Sequence, residues 1–276
     1  MNDYEQMINA MSNKVSKNFE NNQNDYEKDG LLYCGKCNTP KQFILPSGTK
    51  VFCLCDCMQK EYEEKEKQMQ KQEFIRNNKY NIDTQYRNVY MKDIFDIDTD
   101  EELKFIKLFI DNFDVFKKEK MGLYIFGEYG NGKTTIASCI ANELLERQYK
   151  VLMTACNEAI RLFNDKNNTE YYKQKLRTMD LIILDDFGSN RDTDFQKEQL
   201  YNLINYLYSM KKVIIITTNI PRKDLGERSD GQQSRCYDRI IEMTKGIHLK
   251  RGSMRIKISK EKQNKIDEIL NLKGEK

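Results

Sequence analysis

No tryptophan occurs among these 276 residues, and histidine occurs only once. More decisive is the lack of any apolar run near the ~20 residues that a membrane-spanning helix needs, which excludes a transmembrane segment. Residues Met1–Asn13 are polar and acidic, without the apolar core of a secretory signal. The expectation is therefore a cytoplasmic protein with no membrane partner. Charge of one sign is missing too: 46 Lys and Arg stand against 43 Asp and Glu, leaving +3. Bulk electrostatics thus do not announce a nucleic-acid binder, although Lys245–Lys260 forms a local basic run. The sequence shows no internal repeat. The usage rich in Asn, Lys, Ile and Tyr fits an AT-rich coding genome and carries no functional information.

What remains is enough for one large domain and a small companion. A hydrophobic content of 39% supports a real core, while 32% charged residues leave much solvated length. The most informative stretch is Gly127-Glu128-Tyr129-Gly130-Asn131-Gly132-Lys133-Thr134, directly after the apolar run Leu123–Phe126. The spacing G-x-x-x-x-G-K-[ST] between a strand and a helix predicts a phosphate-binding loop. Its glycines let consecutive N–H groups converge on phosphate oxygens, and the following helix adds its partial positive charge. Lys133 is expected to reach the β- and γ-phosphates of ATP, Thr134 to hold Mg²⁺, and Thr135 to continue the first helical turn. A glycine-rich turn that merely starts a helix is the alternative, and Lys-Thr at its end argues against it.

Five of the eight cysteines fall between residues 34 and 57, as Cys34-Gly-Lys-Cys37 and Cys53-Leu-Cys55-Asp-Cys57. A C-x-x-C pair grips one ion from a tight turn, and a second pair across a hairpin completes a tetrahedral Zn²⁺ site. Pro46-Ser47-Gly48 supplies the hairpin turn. Cys34, Cys37 and Cys53 are the expected ligands, with Cys55 or Cys57 as the fourth. Chelation by Cys53 and Cys55 is strained, which makes Cys57 a serious candidate beside Cys55. Four thiolates leave no open position, so the site is expected to be structural. A redox C-x-x-C would need a βαβ context that is lacking here.

Residues 1–58 therefore form an N-terminal region with the knuckle at 34–57, and Met7, Met11, Val15 and Phe19 make a narrow amphipathic stripe ahead of it. The densely charged stretch 59–85 predicts an exposed helical linker. From residue 86 to 258 the pattern is that of an α/β domain, followed by a polar tail, 259–276. Helical spacing runs through Glu101–Phe116. Apolar runs at Leu123–Phe126, Val151–Ala155, Leu181–Asp185 and Val213–Thr218, with a weaker one at Ile247–Lys250, alternate with helical segments. That alternation predicts a five-stranded parallel sheet with helices on both faces.

Leu181-Ile-Ile-Leu-Asp185-Asp186 is a buried strand ending in two carboxylates. Ligands of open α/β sheets sit at the carboxyl ends of strands, so Asp185 is expected beside Mg²⁺ and Asp186 is placed to polarise a water. Asn219, at the end of the next strand, is placed to orient that water.

With these motifs the chain resembles the AAA+ helicase-loader ATPases of the DnaC/DnaI/IstB group over roughly residues 86–258, and the zinc knuckle with its linker extends the likeness to about residue 34. The resemblance makes Gly127–Thr134 the Walker A loop, Leu181–Asp186 the Walker B strand and Asn219 the sensor 1 residue. In Ser234-Arg235-Cys-Tyr-Asp238-Arg239-Ile240 it makes Arg239 the arginine finger, with Arg235 as runner-up, and in Gly252-Ser253-Met254-Arg255 it makes Arg255 the sensor 2 residue. Asp186 replaces the commoner catalytic Glu, implying slow hydrolysis, and the lid domain of larger relatives is not evident. Implied partners are a replicative DnaB-type helicase, single-stranded DNA and further copies of the chain in a homo-oligomer. An IstB-type transposition helper and an ATP-controlled DNA-binding regulator are the competing expectations.

Overall fold

The computed structural model describes residues 24–93, 100–188, 193–227, 231–252, 260 and 262–267. The amphipathic stripe of Met7–Phe19 and the Arg255 expectation lie outside them. The chain divides into two units, residues up to Glu73 and residues from Phe74 on, and the division falls inside the stretch expected to be a linker.

The first unit contains two small hairpins. Strand β1 (Tyr26–Lys28) pairs antiparallel with β2 (Leu31–Tyr33), and β3 (Gln42–Ile44) with β4 (Lys50–Phe52). The second hairpin turns at Pro46-Ser47-Gly48, closed by Leu45 N–H donating to Thr49 O at 2.9 Å. Lys41 and Asp25 form an ion pair, both almost wholly buried. The other Asp25 oxygen accepts the Gly35 N–H at 3.1 Å. A Cβ at residue 35 would lie 2.0 Å from the Asn24 carbonyl oxygen, so this close crossing requires glycine. Helix α1 (Asp56–Asn78) buries none of its residues, as the dense charge of the stretch anticipated.

The second unit is built on a five-stranded parallel sheet. Its strands are β5 (Gly122–Gly127), β6 (Val151–Ala155), β7 (Leu181–Phe187), β8 (Val213–Thr218) and β9 (Thr244–Leu249), in the spatial order β6-β7-β8-β5-β9. The central strands are buried on both sides, which is why they read as unbroken apolar runs rather than alternating ones. Alternation still decides which core each residue joins. Leu123 and Ile125 of β5 pack with Ile136, Ile140 and Leu144 of α4 (Lys133–Glu146), while Tyr124 faces the opposite core. That opposite core is closed by α5 (Cys156–Asn164), α6 (Thr169–Thr178), α7 (Asp194–Ser209), α8 (Arg222–Glu227) and α9 (Gln232–Met243).

Two boundaries differ from expectation. The helix expected over Glu101–Phe116 is two helices, α2 (Glu101–Asp111) and α3 (Phe113–Glu119). Asn112 separates them: both its backbone N–H and its side-chain amide donate to Leu108 O at 3.0 Å, and its φ of −114° leaves the helical region. The apolar spacing continues across the break, which hid it. Strand β9 begins at Thr244, three residues before the apolar signal, because Lys245 and Gly246 mask its start while the ladder with β5 is already formed. Among the described residues no helix is long and apolar enough to cross a membrane.

Candidate phosphate site and cysteine cluster

The loop between β5 and α4 is held by Asn131. Its side chain is 1% exposed, and its amide donates to Leu249 O at the end of β9 at 2.9 Å. Gly127 allows this, since a Cβ there would sit 2.2 Å from Asn131 Nδ2 and 2.6 Å from Leu249 O. Gly132 precedes α4 with φ +90° and offers no side-chain cap, leaving the first-turn N–H groups for a ligand. Lys133 Nζ arches over the loop, donating to the carbonyls of Gly127 (3.1 Å) and Glu128 (2.7 Å) and to Asn131 Oδ1 (3.3 Å). Tyr129 stands exposed, and Thr135 is half-buried in the first helical turn.

Thr134 Oγ1 donates to both oxygens of Asp185, at 2.9 and 3.1 Å. Strand β7 and the loop after β5 are thereby joined at the two groups expected to share Mg²⁺. Burial pushes the Asp185 carboxyl above the usual carboxylate range, the hydroxyls of Thr217 and Thr134 pull it back, and the charge of Asp186 adds to the rise. Thr217, on β8, escaped the sequence reading. Its buried hydroxyl donates to Asp185 Oδ1 and accepts the Asp186 N–H at 2.9 Å, tying the Asp185 carboxylate and the Asp186 backbone to the neighbouring strand. The signal was the pair Thr217-Thr218 ending an otherwise aliphatic strand, overshadowed by Asn219 beside it. Asp186 takes a left-handed backbone, φ +56°, where the β7–β8 register shifts between Leu184 and Phe187. The bulge turns this second carboxylate outward to an exposed position.

The β5–β8 register pairs Phe126 with Thr218, so Asn219 emerges beside Gly127. Tyr124 OH donates to Ile220 O at 3.0 Å and Ile220 N–H to Thr218 Oγ1 at 3.1 Å, fixing the turn that carries it. Asn219 Oδ1 is buried and has no hydrogen-bond partner among the described residues. Arg239 lies on α9, over the rings of Tyr201 (5.1 Å) and Tyr208 (5.4 Å) of α7, with Nη1 buried and unbonded among the described residues. Arg235, one turn earlier, is exposed.

In the first unit the thiols of Cys34, Cys37, Cys55 and Cys57 all lie within 4.8 Å of one another. Two of the separations are 3.6 Å (Cys34–Cys57) and 3.4 Å (Cys55–Cys57). The edges of a tetrahedron with ~2.3 Å zinc–sulfur arms are about 3.8 Å, so the donor set fits such an ion. Cys53, expected as a ligand, stands outside. Its N–H extends the β4 ladder to Lys41 O at 2.9 Å, and its thiol points to Pro40 O at 3.6 Å. Cys55 and Cys57 enter together because α1 starts between them: Gln59 N–H donates to Cys55 O, which relieves the strain of a C-x-C pair on a strand. Desolvation acts to raise the Cys37 thiol, yet hydrogen bonds from Thr39 and from the Cys57 backbone bring it down to about 6. Cys57, bonded first to Cys55, is pushed up to about 12. The proton is thus held more loosely at Cys37 than at Cys57.

Residues 109–240 match the sequence profile of the bacterial DnaA ATPase domain. The replicative helicase loader DnaI of Bacillus subtilis is 25% identical over 141 residues, covering 46% of this chain and 45% of that protein. The chromosomal replication initiator DnaA of Deinococcus radiodurans is 29% identical over 109 residues, 37% of this chain and 23% of that protein. The chain therefore spans less than half the length of these relatives. A crystal structure of the DnaC helicase loader superposes with a TM-score of 0.53 at 25% identity, covering 61% of this chain and 100% of that one.

Proposed function

For a chain that carries a DnaA-type AAA+ ATPase domain and is homologous to the DnaI and DnaC helicase loaders, we propose the role of an ATP-dependent loader of a DnaB-type replicative helicase. In this reading the N-terminal unit holds the helicase, and the ATPase domain engages single-stranded DNA and further copies of itself. The observation that carries it is the junction Thr134–Asp185–Thr217, where the phosphate loop, the carboxylate strand and β8 meet through hydrogen bonds. A loop that binds Mg²⁺-ATP there would pull on three strands at once, as a nucleotide-controlled grip requires.

The residues have distinct tasks. Gly127–Thr135 cradle the phosphates, with Lys133 turning from the loop carbonyls to the β- and γ-phosphates. Thr134 and Asp185 hold Mg²⁺, which supplies charge neutralisation at the phosphates. Asp186, exposed at its bulge, accepts a proton from the attacking water, and Asn219 orients that water. Arg255 is assigned to the γ-phosphate within the chain. For the finger acting across subunits, Arg235 is free to reach another copy, whereas Arg239 would first have to leave Tyr201 and Tyr208. Cys34, Cys37, Cys55 and Cys57 hold a structural Zn²⁺ that organises the helicase-binding unit.

Co-purification of the full chain with the replicative helicase of the same cell, in ATP and in ADP, tests the reading. Nucleotide-dependent association that Lys133→Ala abolishes is the expected result. No association in either nucleotide, together with filament growth on duplex DNA, would overturn it in favour of a transposition helper.

A further inference from the structure

A cavity of about 870 Å³ opens beside the phosphate loop, lined by Phe126, Glu128, Tyr129, Asn219, Lys223 and His248, with Arg222 at its margin. Strand alternation puts it on the face of the sheet away from α4. In β5, Leu123 and Ile125 pack toward α4, so Phe126 shares the opposite face with Tyr124. In β9, Ile247 and Leu249 take the α4 side, leaving His248 to the other. Phe126 and His248 stack there, centroids 4.8 Å apart and rings 1° from parallel. His248, the only histidine of the chain, is exposed, so the outer face of this pair is an open aromatic platform.

The charges around the platform favour an anion. Arg222 is fixed by donating from Nη2 to Ile241 O at 2.8 Å, in a notch at Gly246 where a Cβ would be 2.8 Å from Arg222 Cδ. Lys223 is exposed and makes no ion pair among the described residues. These two cations face one lining carboxylate, Glu128. An aromatic plane flanked by cations is the chemistry that holds an unpaired base and its phosphate. The cavity has the size of a small-ligand site, enough for a nucleotide or two rather than a long tract.

We propose that this cavity is a base-stacking subsite for single-stranded DNA, taking one base on the open face of the His248–Phe126 pair and the adjoining phosphate at Lys223. The inference rests on the loader reading and deepens it by naming where the strand is held. Because Asn219 and Gly127–Tyr129 line the same cavity, a strand seated there touches the residues that sense the nucleotide, and DNA and ATP occupancy are coupled through a shared wall.

The test uses the full-length protein with Mg²⁺ and a non-hydrolysable ATP analogue. It is titrated against an oligo(dT) of about 20 nucleotides carrying one 2-aminopurine, whose fluorescence is quenched on stacking. His248→Ala and Lys223→Gln should each weaken binding about tenfold, the loss expected for one stacked base or phosphate contact. His248→Ala should also lose the quenching, and His248→Phe should keep both. Binding and quenching unchanged in His248→Ala and Lys223→Gln, with wild type binding the strand, would overturn the subsite alone. Wild type that binds the ATP analogue but no strand would overturn the subsite and the DNA part of the loader reading together. Free dTMP displacing the labelled strand, and restoring its fluorescence, at concentrations as low as unlabelled oligo(dT) requires would identify a mononucleotide site and likewise refute the strand assignment.

Discussion

Thr217→Val removes one hydroxyl, keeps the side-chain volume and breaks two hydrogen bonds at the centre of the phosphate site. The bond to Asp185 is charge-assisted, worth about 1.5–3 kcal/mol, and the Asp186 N–H left without an acceptor costs about 1 kcal/mol more. With no cavity opened, the expected destabilisation is about 2.5–4 kcal/mol. For a unit of this size that lowers Tm by roughly 5–12 °C. The pH dependence has a definite sign. The folded Asp185 carboxyl lies above its unfolded value, so ionising it costs the folded state stability as pH rises through the folded pKa. Thr217 favours the ionised form, so the valine variant raises that pKa further. Its deficit is therefore full at pH 7–8 and shrinks as pH falls toward the unfolded carboxylate value of ~3.9. Differential scanning calorimetry of nucleotide-free protein across this range measures both quantities. Mg²⁺-ATP affinity should fall about tenfold as well, because Asp185 loses the contact that orients it. A Tm within about 1 °C of wild type at pH 7.5 would refute the claim that Thr217 braces the Asp185 carboxylate and the Asp186 backbone.

The remaining expectations are more direct. Zinc content measured by mass spectrometry should stay near one ion per chain in Cys53→Ser and be lost in Cys55→Ser or Cys57→Ser, since only the latter thiols join Cys34 and Cys37. Chelation of that ion at neutral pH should lower the melting of the N-terminal unit while leaving nucleotide binding unchanged. Arg239→Ala should cost about 0.5–2 kcal/mol of stability through the lost stacking on Tyr201 and Tyr208. Arg235→Ala should leave stability alone and lower ATP turnover only at concentrations where copies associate, and unchanged turnover there would remove it as a finger. Gly127→Ala should abolish nucleotide binding, read by equilibrium dialysis, because its Cβ displaces Asn131 or Leu249.

The parallel sheet was legible because strands buried on both faces must be apolar throughout, and Val151–Ala155 and Val213–Thr218 come out with the expected bounds. The tight loop between β5 and α4 was legible because its backbone demands glycine at fixed spacing. Features set by contacts between distant residues were not. Thr217 matters only because β8 lies beside β7, a neighbour relation that local pattern does not encode. Cys53 was favoured on spacing, yet the start of α1 decides which thiols converge. The break at Asn112 left no trace in the apolar spacing, since the hydrophobic face continues through it.

Asn131 joins the loop after β5 to the last carbonyl of β9, a strand with a neighbour on one side only among the described residues. Such a border strand frays more readily than the interior of a sheet. The loop and the fraying end therefore open as one cooperative patch: amide hydrogens of Gly130–Gly132 and of His248–Leu249 should exchange with solvent at matched rates. Whatever clamps the end of β9 then also slows the escape of a bound phosphate, giving the far margin of the sheet a say in nucleotide residence time.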